Sequence, residues 1–529
     1  MKKFIFSFAM FLTLLFVAQE ALTQTIQVEK TYALSGKARR GTLAKVEYIN
    51  TNYILYYVTK TNSKKMKFEV YTFDKEFNFI SKNDEELDFE QARTKYKWFS
   101  FKKEEYSVEG LTVEPTMLGT LQLKRKRVTY SFDPIFFGYR KKTELLEKVK
   151  PKSDDGNKLM YYCHYEDDNT GDVYVLCAEK PKGDLGAIYT KYHVMQFNNQ
   201  CDLVSDLPLT QSVSMMKVDA SKFADLEVSE PGVKSLGDMC FVFAPVSYKG
   251  MTSPEDKDKT NFKFIRINNE NKKVAEFNFN SPSPGWRIDD MIVDYTSGDI
   301  YYYGPSQEGK DSYYNNITVT DKTKFKAVQL LKIHNNQMEY ITSTNLDEFE
   351  TKLKTPPSQK KAPAYRGKKF QIVNYTMPVN GDFVVMGQNF EVKEGISYRD
   401  ILAFHFDKRG ILRSQYSLDV LESNDVAKKN LTPQQFLGGA DPNNLYWFVR
   451  EIDDITEAGR VLTYARIGKI NLTDATVGDF KMMGTTGKKP EYFIDPNYPY
   501  LTTEDASTVA FFGADKREKT IWFCRIKLD

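Results

Sequence analysis

The sequence predicts an all-β chain of repeated four-stranded antiparallel meanders, and three observations predict it. Tight Gly-Asp turns recur between apolar runs, at Gly171-Asp172, Gly237-Asp238, Gly298-Asp299 and Gly381-Asp382. Strand-like runs repeatedly end in an apolar residue followed by Asp, Asn or His. Aromatic residues make up 14% of the chain, with 37 Phe and 33 Tyr against 4 Trp, and flat, stiff rings pack well on a pleated surface.

The clearest repeat runs from Arg287 to Ser343. An extended run, Arg287 to Tyr295, meets the turn Ser297-Gly298-Asp299, and the aromatic strand Ile300 to Gly304 follows. After a long polar loop come Val328 to Ile333, the turn His334 to Gln337, and Met338 to Ser343. Gly and Asx residues suit such turns because they tolerate positive φ or bond their own backbone. Looser copies of the first turn stand at Asn50 to Asn52, Pro442-Asn443-Asn444 and Asp505 to Ser507. The strand-ending mark appears as Phe73-Asp74, Phe132-Asp133, Phe197-Asn198, Ile267-Asn268, Ile333-His334, Phe406-Asp407, Ile470-Asn471 and Leu528-Asp529. Successive copies lie roughly 60 to 73 residues apart, slightly longer than familiar propeller repeats. A meander of that size cannot bury both faces alone, and the commonest packing of many such sheets is radial. The expected fold is therefore a β-propeller of four-stranded blades, eight preferred, with seven plus an insertion as the alternative.

Taken in order, Met1 to Thr23 reads as a secretory signal: Lys2 and Lys3 precede an apolar run from Phe4 to Ala18, and Ala21-Leu22-Thr23 offers a cleavage site. Residues 24–529 are then expected to form a single propeller domain. No later segment is long and apolar enough to span a bilayer, so the expected location is periplasmic or extracellular. Thr25 to Leu34 is extended and precedes the first blade at Ala44 to Tyr48, while the last repeat stops after its third strand. The early segment is expected to complete that last sheet and remove an open edge. The second repeat, near 75–157, is irregular, and Thr143 to Lys148 is expected to form a helical turn.

The cysteines are Cys163, Cys177, Cys201, Cys240 and Cys524. Cys163 and Cys177 flank the turn Asp167 to Gly171 almost symmetrically and form a candidate disulfide across a hairpin, against the alternative of two buried thiols.

Alternation of the chain puts short a–b and c–d turns on one face of each blade and longer b–c and d–a connections on the other. The longer set is Val246 to Asn261, Pro305 to Lys326, Gln388 to Asp400, Glu451 to Leu462 and Glu348 to Lys369. Long loops on a rigid frame tend to carry binding residues. Tyr313, Tyr314, Asn315 and Asn316 combine aromatic plates with amides and are the candidate binding residues for a sugar or a peptide. Asp453 and Asp454 are weighed as a Ca²⁺ site, but no calcium-loop spacing surrounds them. Lys124-Arg125-Lys126-Arg127 with Arg140-Lys141-Lys142, Lys148, Lys150 and Lys152 is the main basic concentration, suited to an acidic glycan, lipid surface or partner, or to guarding a sheet edge. The segment Thr355-Pro356-Pro357 to Lys369 reads as a spacer.

The formal net charge of +3 gives no global field for nucleic acid. The histidines, His164, His193, His334 and His405, fall mostly on or beside third strands, which points to strand packing rather than metal ligation. His-Glu-x-x-His, paired Cys-x-x-Cys, a phosphate-cradling Gly-rich loop and Gly-x-Ser-x-Gly are all absent from the sequence. No cofactor and no metal are expected. Paired carboxylates for glycoside cleavage would come from distant blades and leave no spacing to read.

The chain resembles secreted bacterial β-propeller proteins at the level of the superfold, over nearly all of the mature length. It has no Trp-Asp repeat ending, no kelch double glycine and no Ser-x-Asp-x-Gly-x-Thr-Trp box. Tyr57-Val58-Thr59-Lys60 is similar to the Tyr-Val-Thr-Asn repeat of another propeller family but occurs once and lacks the final Asn. The resemblance implies a fold and no particular activity. The expected function is a non-enzymatic, monomeric binding or scaffold ring for a protein or glycan partner in the cell envelope. The alternative is a carbohydrate-active hydrolase or lyase with carboxylates at the central channel.

Overall fold

The computed structural model describes the chain apart from residues 1–24, 63, 103, 135–136, 168–169, 181–190, 211–215, 221–237, 246–261, 269–271, 273, 283–284, 295–296, 308–324, 360–363, 393–394, 422–423, 457–458, 487–488, 503–506 and 529. The stretch read as an export signal lies outside the described residues. The fold class is all-β: eight antiparallel sheets of the propeller kind follow one another along the chain, with a few short helices. Eight blades, not seven with an insertion, are present among the described residues.

Contacts divide the chain into two compact units. One comprises Met1–Lys102, Pro134–Gly138 and Asp347–Asp529 and holds the first, sixth, seventh and eighth blades; the other comprises Lys103–Asp133 and Tyr139–Leu346 and holds the second to fifth. The first blade is Thr42–Ile49, Asn52–Thr61, Lys65–Phe73 and Phe79–Asp88, paired in that order. The eighth is built on Thr508–Asp515 and Thr520–Lys527, and Thr25–Ala33 pairs antiparallel with the latter, from Ile26 opposite Ile526 to Ala33 opposite Thr520. The early segment thus completes the last sheet, as expected.

Both sequence marks have a structural cause. The Asp of each Gly-Asp turn accepts a side chain from the third strand of its own blade. Gln196 Nε2 donates to Asp172 at 2.7 Å, Arg266 Nε to Asp238 at 2.7 Å, His334 Nδ1 lies 2.6 Å from Asp299, and His405 Nε2 lies 2.7 Å from Asp382. The residue ending the third strand caps the following turn: Asp74 Oδ1 accepts the N–H groups of Glu76 and Asn78, and Asp407 Oδ1 those of Arg409 and Ile411. Such local caps satisfy turn backbone that would otherwise need water.

The cores lie between neighbouring blades within each unit. Along a second strand, alternate residues face opposite neighbours, so both faces are buried and the strand reads as an unbroken apolar run. In the eighth blade Val509 and Phe511 pack with Phe448 and Ile467 of the seventh, while Ala510 and Phe512 pack with Tyr53 and Leu55 of the first. In the third blade Tyr174, Leu176 and Ala178 face the fourth, and Val173, Val175 and Cys177 face the second.

That alternation removes the expected disulfide. Cys163 stands opposite Leu176 and shares its face, a bulge follows, and Cys177 points into the other core, so the two are buried thiols not joined by a disulfide. The second blade also departs from expectation. Its strands are Tyr106–Val113, Leu123–Asp133 and Gly138–Val149, and the last contains Thr143 to Lys148, where a helical turn was expected. The helix of this region is instead Phe89–Lys95, started by a capping box between Asp88 and Gln91. Two expected loops, Gln388 to Asp400 and Glu451 to Leu462, are largely strand: Phe383–Val392 pairs with Ile396–Phe406, and Asn444–Ile455 with Val461–Asn471, as long hairpins.

Candidate functional site

Within the first unit, the b–c ends of the first, seventh and eighth blades enclose a cleft of about 240 Å³. Its wall is the connection Leu34 to Arg39, which leaves the closing strand and enters the first blade. Ser35 holds that connection: its hydroxyl donates to Glu69 Oε2 at 2.6 Å and accepts the N–H of Ala38 at 3.1 Å. Glu69 is fully buried and also accepts Tyr71 Oη at 2.7 Å and Lys82 Nζ at 3.3 Å, so the charge is paired where it is desolvated. Gly41 lets the chain turn close against the second strand, since a Cβ there would lie 2.4 Å from the Val58 carbonyl oxygen.

The floor is apolar, formed by Leu34, Leu55, Phe512 and Ile521. Four distant segments bring the polar groups: Arg39, Tyr57, Arg460 from the hairpin tip of the seventh blade, and Asp495, Asn497 and Glu518 from the eighth. Asp495 Oδ1 accepts the N–H groups of Asn497 and Tyr498, both at 2.9 Å, which fixes the carboxylate at the mouth. Arg460 pairs with Glu518, while its Nε is buried with no hydrogen-bond partner among the described residues. Burial lowers the guanidinium's pKa and raises that of the Tyr57 hydroxyl. An apolar floor with a few fixed polar groups is the composition of a recognition pocket.

Other clusters of titratable groups are already internally satisfied. In the third blade His193 lies between Asp206 at 2.9 Å and Glu179 at 3.1 Å, and Asn157 donates to the second Glu179 oxygen at 2.9 Å. The Asp206 hydrogen bond, helped by Glu179, raises the imidazole pKa despite burial. Both carboxylates thus serve one imidazole. Asp299, His334 and Glu339 stand close enough to hold a cation, but Lys332 Nζ already bridges the two acids at 2.9 and 2.8 Å. Asp454 pairs with Lys516 at 2.9 Å, and Asp453 accepts Asn424 through its backbone carbonyl at 2.8 Å; among the described residues the two carboxylates do not converge with others as a calcium site requires.

The basic run divides in two. Lys124 and Lys126 share Glu114, and Arg125 and Arg127 share Glu109 on the adjoining strand and reach Glu147 and Glu144 at 3.7 Å on the other side, so that stretch is neutralised across the sheet. Arg140 pairs with Asp133. Lys148, Lys150 and Lys152 are treated below. The candidate binding residues Tyr313, Tyr314, Asn315 and Asn316 lie outside the described residues. Of the loops singled out in the sequence, Glu451 to Leu462 carries a pocket residue, Arg460. The other polar lining residues have no signal in the local sequence, because they come together only where the last sheet closes on the first.

No protein-family model matches the sequence, and no curated protein matches it. Among solved structures the chain is similar to the NanB sialidase of Streptococcus pneumoniae, at 10% identity over 95% of this chain and 70% of that one, with a TM-score of 0.26. It is also similar to the WD40 domain of SCAP from fission yeast, at 9% identity over 95% and 98%, TM-score 0.24, and to an α-L-arabinofuranosidase from Lactobacillus brevis, at 12% identity over 60% and 91%, TM-score 0.25. Likeness at this level says nothing of activity. The class of protein is a β-propeller.

Proposed function

We propose that the chain is an exported, non-enzymatic binding or scaffold protein that presents the b–c ends of its blades to a protein or glycan partner. The observation that carries the reading is the buried Nε of Arg460, which has no partner among the described residues, above an apolar floor. A desolvated guanidinium donor left open is costly unless a ligand completes it, and a planar fork suits a carboxylate or a sugar oxygen. At about 240 Å³ the cleft is smaller than the pockets that engulf a drug-sized molecule. It suits one sugar ring or one side chain of a larger partner. The apolar run Phe4 to Ala18 behind Lys2 and Lys3 supports export.

The test is binding of the purified protein to glycan and peptide arrays and to envelope extract, with Arg460→Met and a variant shortened between Pro305 and Lys326 alongside. The expected result is at least ~10-fold weaker recovery with Arg460→Met, because a charge-assisted hydrogen bond contributes about 1.5–3 kcal/mol, and no change in the probes themselves. Equal recovery from wild type and Arg460→Met removes the pocket from the reading, and release of reducing sugar or cleaved peptide replaces it with a hydrolase.

A further inference from the structure

In the second blade the turn between Tyr106–Val113 and Leu123–Asp133 places two large apolar side chains in water. Met117 is fully exposed, at 105%, and Leu118 83% exposed. Hydrogen bonds fix the turn: Gly119 N–H donates to the Thr116 carbonyl at 2.8 Å, Thr116 N–H to the Thr120 carbonyl at 3.0 Å, the two threonine hydroxyls lie 2.6 Å apart, and Gly119 sits at φ 74°. This is a type I turn closed by a left-handed glycine, a rigid hairpin tip. Its two central positions accept most residue types, so nothing in the turn itself requires Met and Leu there.

Around that tip stand Lys148, Lys150, Lys152 and Lys158, which line one open cleft of about 630 Å³ together with Met117 and Leu118. All four are exposed, and none of their ammonium groups has an ion pair or hydrogen bond with the described residues. Lys152 and Lys158 are bridge partners across an antiparallel pair, so like charges are held side by side. The contrast with the adjoining strands is sharp. Glu114, next to the tip, is taken by Lys124 and Lys126, whose hydrogen bonds hold its carboxyl at about 2, and it is not left over for this ring.

We propose that this tip docks on an anionic lipid bilayer, with Met117 and Leu118 entering between headgroups and the four lysines bound to acidic lipid. The projecting shape decides between occupants. A soluble acidic glycan offers nothing to the apolar pair, whereas a negatively charged bilayer offers an apolar interior beneath a negative surface. The inference concerns a different unit from the Arg460 cleft and does not depend on it.

The test is co-sedimentation of the full chain with phosphatidylcholine–phosphatidylglycerol vesicles and with phosphatidylcholine vesicles, comparing wild type, Met117→Ser with Leu118→Ser, and the four lysines changed to Gln. Residues 4–18 are apolar in themselves, so the readout is the difference between variants of the same chain. Wild type is expected to bind the anionic vesicles and to be weakened by high salt. Each lysine removed costs about fivefold in partition, and the serine pair reduces it at least ~10-fold. A Met117→Trp variant is expected to shift its emission to the blue on anionic vesicles only, with thermal unfolding of all variants unchanged. Wild type that stays in the supernatant, or binding unaltered by the serine pair or the lysine changes, overturns the proposal. A tip that instead loses binding to an acidic protein partner while ignoring vesicles does the same.

Discussion

The eighth and second blades meet one problem in opposite ways. A sheet's last strand presents unpaired backbone groups to any passing chain. In the eighth blade that position is filled from the other end of the sequence: Thr25–Ala33 pairs along Thr520–Lys527. Side chains reinforce the closure, with Trp522 Nε1 donating to Glu29 at 2.7 Å and Arg525 Nε donating to Gln27 at 3.0 Å. In the second blade the last strand, Gly138–Val149, has no further partner strand among the described residues and is guarded by charge, with Lys141, Lys142, Glu144, Glu147 and Lys148 exposed. One edge is closed by a strand from far away in the sequence, the other is made unattractive. The first solution ties global stability to a single segment; the second spreads a weak effect over many side chains.

The comparison breaks most directly at the closing strand. Deleting Thr25–Ala33 is expected to abolish cooperative thermal unfolding or leave soluble aggregates, read by circular dichroism and size-exclusion chromatography, and the same peptide added in trans should restore part of it. An unchanged melting curve would falsify the closure. Smaller but still clear is Glu29→Ala, which strips the buried indole of Trp522 and the Gly484 N–H of their acceptor. A loss of about 1–3 kcal/mol in urea unfolding is expected; a change below the scatter of replicate curves would mean that water replaces the carboxylate at no cost.

The second blade should yield far less. Glu109→Gln removes one of the two acids that Arg125 and Arg127 each reach, leaving Glu147 and Glu144 at 3.7 Å, and exposed pairs contribute little. The expected shift in urea midpoint is small and vanishes in high salt. A large shift would show that this edge depends on its charge pairs as heavily as the closed edge depends on its added strand. The smallest effect is a pH dependence. Hydrogen bonds from Lys124 and Lys126 depress the Glu114 carboxyl to about 2, against about 4.3 for an ordinary Glu. A depressed carboxylate contributes stability that is present above its unfolded value and is lost as pH falls from there through about 2. Glu114→Gln should therefore differ slightly from wild type at neutral pH and converge with it below that range; curves that diverge toward acid would reverse the assignment.

Much of this was legible in the chain. The Gly-Asp turns and strand-ending Asx residues are local features with local causes, which is why the first blade and the Arg287 to Ser343 repeat appear where the sequence places them. Thr143 to Lys148 misleads because a run of charges around two leucines has helical spacing, yet charges also suit an open strand edge. Cys163 and Cys177 mislead because nearly equal spacing about a turn is one residue out: the hairpin register sets Cys163 opposite Leu176, and side-chain alternation then sends Cys177 to the other face. The basic run looked like a patch because Glu109, on the adjoining strand, and Glu114, just past its end, are separated from the run in sequence although they lie beside it in space.

By itself, then, the sequence determined that the chain is all-β, how its strands repeat, and that an early strand completes a late sheet. These follow from alternation of side chains and from turn chemistry, both decided within a few residues. Only the tertiary structure decided which charges neutralise one another, which lysines remain open around Met117 and Leu118, and that Arg460 joins Tyr57 and Asp495 at one cleft. The reason is physical: charge pairing and pocket formation depend on distances through space, and in this fold residues at opposite ends of the chain become neighbours.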